Sequence, residues 1–392
     1  MKRVYLDNAA TTQVDPRVLK AMLPYLKDKF GNPSSIHSWG QEIKKAVEES
    51  RKKVASILGC RAGEIIFTSC ASESNNLALK GMVEAVTNGN FKKAHIIVSS
   101  IEHHAGLDSA KHLEKLGVKV TWLSVDQYGL IDIKEIEKAI QENTVLVSVM
   151  YVNNEMGTIE PIAKLGKMIK KLNKFRQSQI YFHTDAVQAI QYLNCNVQGL
   201  GVDLLSLSGH KFHAPKGVGL LFKKDGTPIT RLQDGGGQEF GLRAGTENVA
   251  SIVGLIKALE LVEEHKKEKV KRVVYLRDKL IKGILKIGGV QLTGHPQKRI
   301  PHIASFVVKG AEGEAMILLL DETGIAASSG SACTSKILEP SYVLKAMNIP
   351  PELSHGSLRL SLSSKTTEKD IDYVLEVLPK IIKKLRKIAP KL

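Results

Sequence analysis

Seven short runs rich in β-branched and aliphatic residues constrain the fold of this chain more than any other feature. The runs cover residues 65–69, 95–100, 118–124, 145–152, 180–186, 203–208 and 218–222. Amphipathic stretches lie before and between them, with apolar residues at the helical period, over 41–58, 73–86, 105–116, 133–141 and 161–173. This alternation predicts right-handed crossovers and an α/β fold with a mostly parallel, seven-stranded sheet covered by helices on both faces.

The chain changes character after Asn248. Residues 249–286 form one long, charged, amphipathic segment, and the loop 293–302 leads to shorter strands, helices and a serine-rich loop. A length of 392 residues, divided by a usual domain size of roughly 150, predicts two domains, one of them enlarged. We expect a large domain over residues 15–255. Residues 1–14 and 256–392 would form a smaller α+β domain.

Composition describes an ordinary globular protein, except for its charge. Hydrophobic residues make up 43% and charged residues 24%, which argues against disorder. The 56 basic and 40 acidic residues leave a net charge of +16. No apolar run approaches the roughly 18 to 20 residues of a membrane span. The amino terminus reaches Asp7 before any apolar stretch, so we expect no signal peptide, no membrane contact and a cytoplasmic location.

The four cysteines, Cys60, Cys70, Cys195 and Cys333, are too widely spaced for common metal or redox motifs. No pair has the spacing of a zinc knuckle or of a C-x-x-C pair. We therefore expect reduced thiols and no bound metal.

Two of the strand runs end in residues suited to one cofactor chemistry. Lys211 follows the run 203–208, where partial desolvation favours a neutral, nucleophilic amine. Asp185 ends the run 180–186, with Gln188 three residues further on. A carboxylate at that depth can keep a heteroaromatic nitrogen protonated, as pyridoxal phosphate requires. Taken alone, each has an ordinary alternative, a surface lysine or a helix-capping aspartate.

A phosphate turn and a stacking group complete this set. The sequence FTSCASESNNLAL (67–79) is a strand, a small-residue turn and a helix. The backbone N–H groups of Ala71 and Ser72, with the Ser72 hydroxyl, could hold a phosphate at the helix N-terminus. His103 lies just beyond another strand run, where an imidazole could stack on a planar ring. Each feature is common by itself. Their occurrence together, in the order turn, histidine, aspartate and lysine, is what favours a cofactor site.

This order is the layout of fold-type I pyridoxal-phosphate enzymes, and the sequence resembles the cysteine desulfurases of the NifS/IscS kind over nearly its whole length. Ten stretches carry the resemblance: YLDNAATT (5–12), FGNPSSIHSWG (30–40), FTSCASESNNLA (67–78), IEHHA (101–105), YVNNEMGTIEPI (151–162), HTDAVQ (183–188), SLSGHKFHAPKGVG (206–219), GGGQEFGLRAGTENV (235–249), SSGSACTSKILEPSYVLKAM (328–347) and GSLRLSL (356–362).

The resemblance implies a role for each matching residue. Lys211 would bind pyridoxal phosphate covalently, and His103 would stack on its ring and shuttle protons. Asp185 would pair with the pyridine nitrogen, and Gln188 with the phenolic oxygen. The phosphate would be held by Ser72, Ser208, His210 and, across a homodimer, Thr246 of the partner subunit. Asn154 and Arg359 would bind the substrate carboxylate, a task to which a guanidinium fork is suited.

Cys333 lies in SSGSACTS, a loop of small side chains rather than an apolar core. The resemblance implies that its thiolate attacks the sulfur of L-cysteine. Alanine and a persulfide on Cys333 would result, and the sulfur would pass to an acceptor or iron–sulfur scaffold protein.

Two departures from the family pattern concern a turn and the carboxyl terminus. The turn usually reads GATES and here reads CASES, so Cys70 replaces a glycine and Ser72 a threonine. The hydroxyl is kept, but the freedom of a glycine backbone is lost. The chain also stops at KIAPKL (387–392), short of the tail with which some members dock a scaffold, so that docking stays open.

Three other functions compete with the desulfurase. A selenocysteine lyase would share the scaffold, although the stretch EPSYVLKAM after Cys333 favours the desulfurase. An aminotransferase has no use for Cys333. A basic nucleic-acid-binding protein would leave Lys211, Asp185 and His103 unexplained, and aromatic content is only 5%. We expect no specific nucleic-acid binding, and the basic clusters at 266–272 and 383–387 would be solvated faces or attract an acidic protein partner.

Overall fold

The computed structural model describes residues 2–330 and 340–388. Its strands are β1 (Val4–Tyr5), β2 (Ile65–Thr68), β3 (His95–Ser99), β4 (Lys119–Leu123), β5 (Thr144–Ser148), β6 (Tyr181–Asp185), β7 (Leu204–Ser208), β8 (Gly219–Lys223), β9 (Val290–Leu292), β10 (Ile303–Val308), β11 (Ile325–Ala326) and β12 (Ser357–Ser361). Its α-helices are α1 (Pro16–Lys27), α2 (Ser38–Leu58), α3 (Ala71–Asn76), α4 (Met82–Thr87), α5 (His104–Lys115), α6 (Ile133–Ala139), α7 (Ile162–Asn173), α8 (Val197–Leu200), α9 (Val249–Glu263), α10 (Lys266–Ile284), α11 (Gly313–Glu322), α12 (Tyr342–Ala346), α13 (Pro351–Ser354) and α14 (Glu368–Ile388).

The predicted mostly parallel, seven-stranded sheet is confirmed. Its strands lie in the order β2-β8-β7-β6-β5-β3-β4, and all the pairs are parallel except those that β8 forms with β2 and β7. Each of the seven predicted runs forms one of these strands. The predicted run 145–152 is longer than β5, which ends at Ser148. Val152 lies outside the sheet and forms an isolated antiparallel bridge with Ile159.

Both faces of this sheet are covered, as the sequence predicts for parallel strands. Neighbouring residues of a strand point to opposite faces and enter different apolar clusters. In β3, for example, Ile97 belongs to one cluster and Ile96 to the other, and the same holds for Leu205 and Leu204 in β7. The sheet therefore has an apolar cluster on each face.

Two predicted helices are divided. The segment 73–86 forms α3 and α4, joined by a π-helical turn over Leu77–Gly81, a feature frequent at functional sites. The segment 249–286 forms α9 and α10, because His265 adopts a left-handed backbone conformation with φ of 52°. Apolar periodicity continues across both interruptions, so it gave no sign of them.

A smaller set of strands lies beside the large sheet. β10 pairs antiparallel with β12 and β9, and β1 pairs in parallel with β11, so the amino terminus joins the carboxyl-terminal part of the chain. The domain boundary expected at 255/256 falls inside α9, which packs against α1 and α2. That boundary stays a prediction. Among the described residues, no helix is long and apolar enough to cross a membrane.

Glu160 is a buried carboxyl group whose ionisation the fold opposes. It is 1% exposed, and burial raises its pKa from 4.5 to about 8; the N–H of Ile131 and the charge of Lys298 oppose this shift, and Asp126 reinforces it. Between these two pKa values the folded chain keeps a proton that the unfolded chain has lost. The contribution of Glu160 to stability therefore falls as the pH rises through this window.

We predict that Glu160→Gln removes about 2–4 kcal/mol of the fall in the free energy of unfolding between pH 5 and pH 8. Urea denaturation at a series of pH values measures this change. Glu142→Gln is the control, because Glu142 is exposed. A pH slope in Glu160→Gln equal to that of the unsubstituted chain would contradict the prediction.

Candidate active site

The polar groups singled out from the sequence follow the carboxyl ends of four neighbouring strands. His103 follows β3, Asn154 follows β5, Asp185 ends β6, and Lys211 lies in the 3-10 turn directly after β7. Parallel strands bring these ends to one edge of the sheet, which is where ligands bind in open α/β folds.

Asp185 is a buried carboxylate in a fixed orientation. It is 6% exposed, and its Oδ2 accepts a hydrogen bond from Asn75 Nδ2 at 2.7 Å. Its Oδ1 accepts from the backbone N–H of Val187 at 3.0 Å. Asn75 Oδ1 is itself buried with no hydrogen-bond partner in the described part of the chain. The carboxylate is therefore set for a cation or an N–H group at this edge.

His103 begins α5 and is held as one tautomer. Its Nδ1 accepts from the N–H of Ala105 at 3.1 Å, so the proton of the neutral ring is on Nε2. Burial lowers the pKa of His103, Asp185 opposes this effect, and Lys211 and His104 reinforce it. A neutral imidazole of this kind can stack on a planar ring and exchange protons.

The carbonyl of Ala9 connects Lys211 and Gln188. Lys211 Nζ donates to the carbonyl oxygens of Ala9 at 2.8 Å and Ala10 at 2.7 Å. Gln188 Nε2 donates to the same Ala9 oxygen at 2.9 Å, and Gln188 Oε1 accepts from His302 Nε2 at 3.2 Å. The lysine and the amide therefore lie on one side of the same chain segment.

The small-residue turn before α3 is built without a left-handed backbone. Cys70 is extended, with φ of −173°, so any residue can occupy the position where a glycine was expected. Both the N–H and the hydroxyl of Ser69 donate to Glu73 Oε2, at 2.7 and 2.5 Å. A Cβ atom at Gly219 would lie 2.7 Å from the Cys70 carbonyl carbon, so β8 packs tightly against this turn. Substitution by Cys70 therefore costs no backbone strain.

The other groups expected at the phosphate lie around this turn and the end of β7. Ala71 begins α3, Ser72 is exposed, and Ser208 is the buried last residue of β7. His210 Nδ1 lies 3.1 Å from the Thr11 hydroxyl. Burial lowers the pKa of His210 to about 4, and two nearby lysines add to this effect, so the ring is neutral near pH 7.

Arg359 and Asn154 lie side by side. Arg359, on β12, is 5% exposed, and its Nη1 donates to the Asn154 carbonyl oxygen at 2.9 Å. Its Nη2 donates to Asp7 Oδ1 at 2.9 Å. Arg359 Nε and Asn154 Oδ1 are buried without hydrogen-bond partners in the described segments. The unpartnered Nε–H of Arg359 is suited to a carboxylate ligand, whereas Asn154 Oδ1 is an acceptor and Asn154 would bind a carboxylate only through its Nδ2 group.

Two further expected site residues have not been placed with these groups. Thr246 is exposed, on the loop between β8 and α9. Cys333 lies outside the described residues. Of the other three cysteines, burial raises the pKa values of Cys60 and Cys195 to about 12, which makes both poor nucleophiles.

Sequence reasoning missed several groups that support the site. Asn75 orients Asp185, Asp7 binds Arg359, and His302 fixes Gln188 while stacking on Tyr192, with ring centroids 4.5 Å apart. Asp7 had a signal, since a polar residue interrupts the start of YLDNAATT. The contact of His302 had none, because it joins segments more than one hundred residues apart.

The chain belongs to the aminotransferase class-V family, which matches residues 4–374. Within that family it is similar to proteins named cysteine desulfurase. It is 50% identical to cysteine desulfurase IscS of Dictyoglomus turgidum, covering 100% of this chain and 97% of the relative. It is 49% identical to cysteine desulfurase IscS of Methanosarcina thermophila, covering 99% and 94%. A solved NifS-like protein superposes with a TM-score of 0.90 at 39% identity, covering 97% of this chain and 100% of that one.

Proposed function

We propose that this chain is a pyridoxal-phosphate-dependent cysteine desulfurase. The observation that carries the proposal is the position of Lys211, Asp185 and His103 at the carboxyl ends of neighbouring strands; the opposite effects of Asp185 and Lys211 on the pKa of His103 support it. The adjacent Arg359 supports an amino-acid substrate, because its unpartnered, buried Nε–H can donate to a carboxylate, and Asn154 beside it would donate from its Nδ2 group.

The residues present fit pyridoxal phosphate. When bound, this cofactor supplies an electron sink for the pair released at the substrate Cα. Lys211 Nζ would attach it, Asp185 would keep its ring nitrogen protonated, and His103 would stack on the ring. Gln188 would donate to its phenolic oxygen. Its phosphate would be held by the N–H groups of Ala71 and Ser72 and by the side chains of Ser72, Ser208 and His210.

In the proposed reaction, Lys211 and His103 move protons at the substrate while Arg359 and Asn154 hold its carboxylate. The Cys333 thiolate attacks the sulfur of L-cysteine. The carbon–sulfur bond breaks, a sulfur–sulfur bond forms, and the carbon takes up a proton. One cysteine therefore gives one L-alanine and one persulfide on Cys333, with no external oxidant or reductant.

We predict that the purified protein is yellow and that borohydride fixes the cofactor to Lys211. Mass spectrometry of the peptide that contains Lys211 should show the added mass. Lys211→Ala should lose this labelling, whereas Lys216→Ala, which changes an exposed lysine nearby, should keep it. A protein that takes up no pyridoxal phosphate would contradict the cofactor assignment.

We predict that Cys333→Ala retains the visible colour but loses sulfide release from L-cysteine by at least about a hundredfold, because the attacking thiolate is removed. Sulfide and alanine assays measure the loss. Cys60→Ala is the matched control, because the Cys60 thiol is held protonated. Full activity of Cys333→Ala would overturn the persulfide role. If the unsubstituted protein reacted with L-selenocysteine but not with L-cysteine, the result would favour a selenocysteine lyase.

The proposed active form is a homodimer, in which Thr246 of the partner subunit completes the phosphate site. An unusual number of large apolar side chains are exposed on α1, on the loop after it and at the start of α2. They are Leu19, Leu23, Leu26, Phe30, Ile36 and Trp39. Ile36 is 94% and Phe30 72% exposed, and a second copy of the chain would bury such a surface.

We predict that Ile36→Asp combined with Trp39→Asp converts the dimer to a monomer and weakens pyridoxal phosphate binding about tenfold, because Thr246 no longer arrives from a partner. Light scattering and cofactor titration measure the two effects. Phe175→Asp is the control, since Phe175 is 83% exposed but lies just after α7, outside this apolar group. The dimer proposal would be wrong if light scattering showed the unsubstituted holoenzyme to be a monomer.

The proposed destination of the sulfur is an acceptor or iron–sulfur scaffold protein in the cytoplasm. The net charge of +16 supports an acidic acceptor, because a basic surface speeds encounter with it. The same charge is not a reason to propose specific nucleic-acid binding.

A further inference from the structure

Glu155 contacts both chain segments that flank residues 331–339. Ser341 Oγ donates to Glu155 Oε2 at 2.5 Å. On the other flank, a Cβ atom at Gly330 would lie 2.6 Å from the same carboxylate oxygen. One side-chain oxygen therefore accepts a hydrogen bond from the residue after the segment and occupies the space that a side chain at Gly330, just before it, would need.

The same flanks are tied to the groups of the candidate active site. Ser328 pairs with Arg359 through the backbone, with N–H to oxygen distances of 3.2 and 2.6 Å. Tyr342 Oη donates to the Glu102 carbonyl oxygen at 2.6 Å, and its ring packs on His104 with centroids 4.9 Å apart. One flank is thus joined to the predicted carboxylate-binding arginine and the other to the residues around His103.

Glu155 is itself next to Asn154 and is 5% exposed. Burial raises its pKa to about 7, opposed by the Ser341 hydrogen bond and the charge of Arg359. A carboxyl group in this environment costs stability compared with an apolar residue of similar size. Within the described residues, the hydrogen bond from Ser341 and the charge of Arg359 offset this cost.

We infer that Glu155 is a positioning residue for sulfur transfer, which fixes both flanks of the segment carrying Cys333 against Asn154 and Arg359. This inference rests on the proposed desulfurase function. Glu155 acts through Gly330 and Ser341 and not on the substrate. Its loss should therefore slow transfer of sulfur to Cys333 while leaving cofactor uptake and binding of L-cysteine intact.

A double-mutant cycle between Gly330 and Glu155 tests the contact. Gly330→Ala inserts a methyl group against the carboxylate, and Glu155→Asp withdraws that carboxylate by one methylene. In holoenzyme, Gly330→Ala should lower kcat at least about tenfold with little change in the L-cysteine titration of the visible spectrum. The double variant should return to within about threefold of Glu155→Asp alone, because the shorter side chain makes room. Gly63→Ala is the control, since a Cβ there meets nothing within 4 Å.

Two further measurements separate positioning from general damage. Glu155→Gln keeps an acceptor of the same length for Ser341 and should retain kcat within about threefold, whereas Glu155→Ala should not. The rate at which iodoacetamide alkylates Cys333 in the enzyme without substrate should rise in Gly330→Ala and return in the double variant. This readout does not depend on turnover.

The outcomes distinguish the inference from the function on which it rests. If the unsubstituted holoenzyme forms no persulfide on Cys333, the proposed function fails. The positioning role is overturned if the persulfide forms but the losses of kcat in Gly330→Ala and Glu155→Asp multiply in the double variant. It is also overturned if the kcat of Gly330→Ala equals that of Gly63→Ala. Equal losses of spectral titration and kcat in Gly330→Ala would also overturn it.

Discussion

The candidate site depends on the passage of residues 7–12 across the carboxyl edge of the large sheet. The backbone of this segment accepts hydrogen bonds from Lys211 and Gln188 at Ala9, and its other end bonds to the carbonyl of His210 through Thr12. Its start is attached to the smaller sheet, because Asp7 binds Arg359 and the N–H of Ala9 donates to Ser361 Oγ. One short segment thus aligns the lysine of one sheet with the arginine of the other.

Burial shifts the pKa values of several titratable groups at this edge of the sheet. Burial raises the pKa of Glu102 well above its usual value; the N–H of Met150, which donates to Glu102 Oε1, opposes this shift, and Asp185 and Glu160 reinforce it. Burial also lowers the pKa values of His103 and His210, which keeps the two imidazoles neutral. Asp185 lies among these groups, held by hydrogen bonds from Asn75 and from the N–H of Val187.

Local patterns in the sequence determined what could be predicted. The seven strands follow from runs of apolar residues, and Lys211 and Asp185 follow from their place just at or after a run. What escaped prediction depends on contacts between distant segments. The π-helical turn at Leu77–Gly81 leaves the apolar period unchanged, and the hydrogen bond between Asn75 and Asp185 joins residues 110 positions apart.

The Cys70 position shows that a family pattern can mislead about physical cause. A glycine in the usual turn suggested a backbone need, yet the extended conformation of Cys70 is open to any residue. The steric demand is instead on Gly219, where a side chain would strike the Cys70 backbone. The close approach of two chain segments, and not the conformation of one, explains why a small residue is required here and why only one of the two positions tolerates exchange.

A similar argument applies to the loop that carries Thr246. Glu239 and Phe240 are successive non-glycine residues with φ of 47° and 60°, a conformation that costs about 1–3 kcal/mol each. The cost is offset by Arg51, whose guanidinium binds the Glu239 carboxylate with two hydrogen bonds of 2.8 Å and lies 4.9 Å from the rings of Phe67 and Phe240. The loop is therefore shaped within a single chain. The contact with Arg51 thus fixes the base of this loop without help from a second copy of the chain.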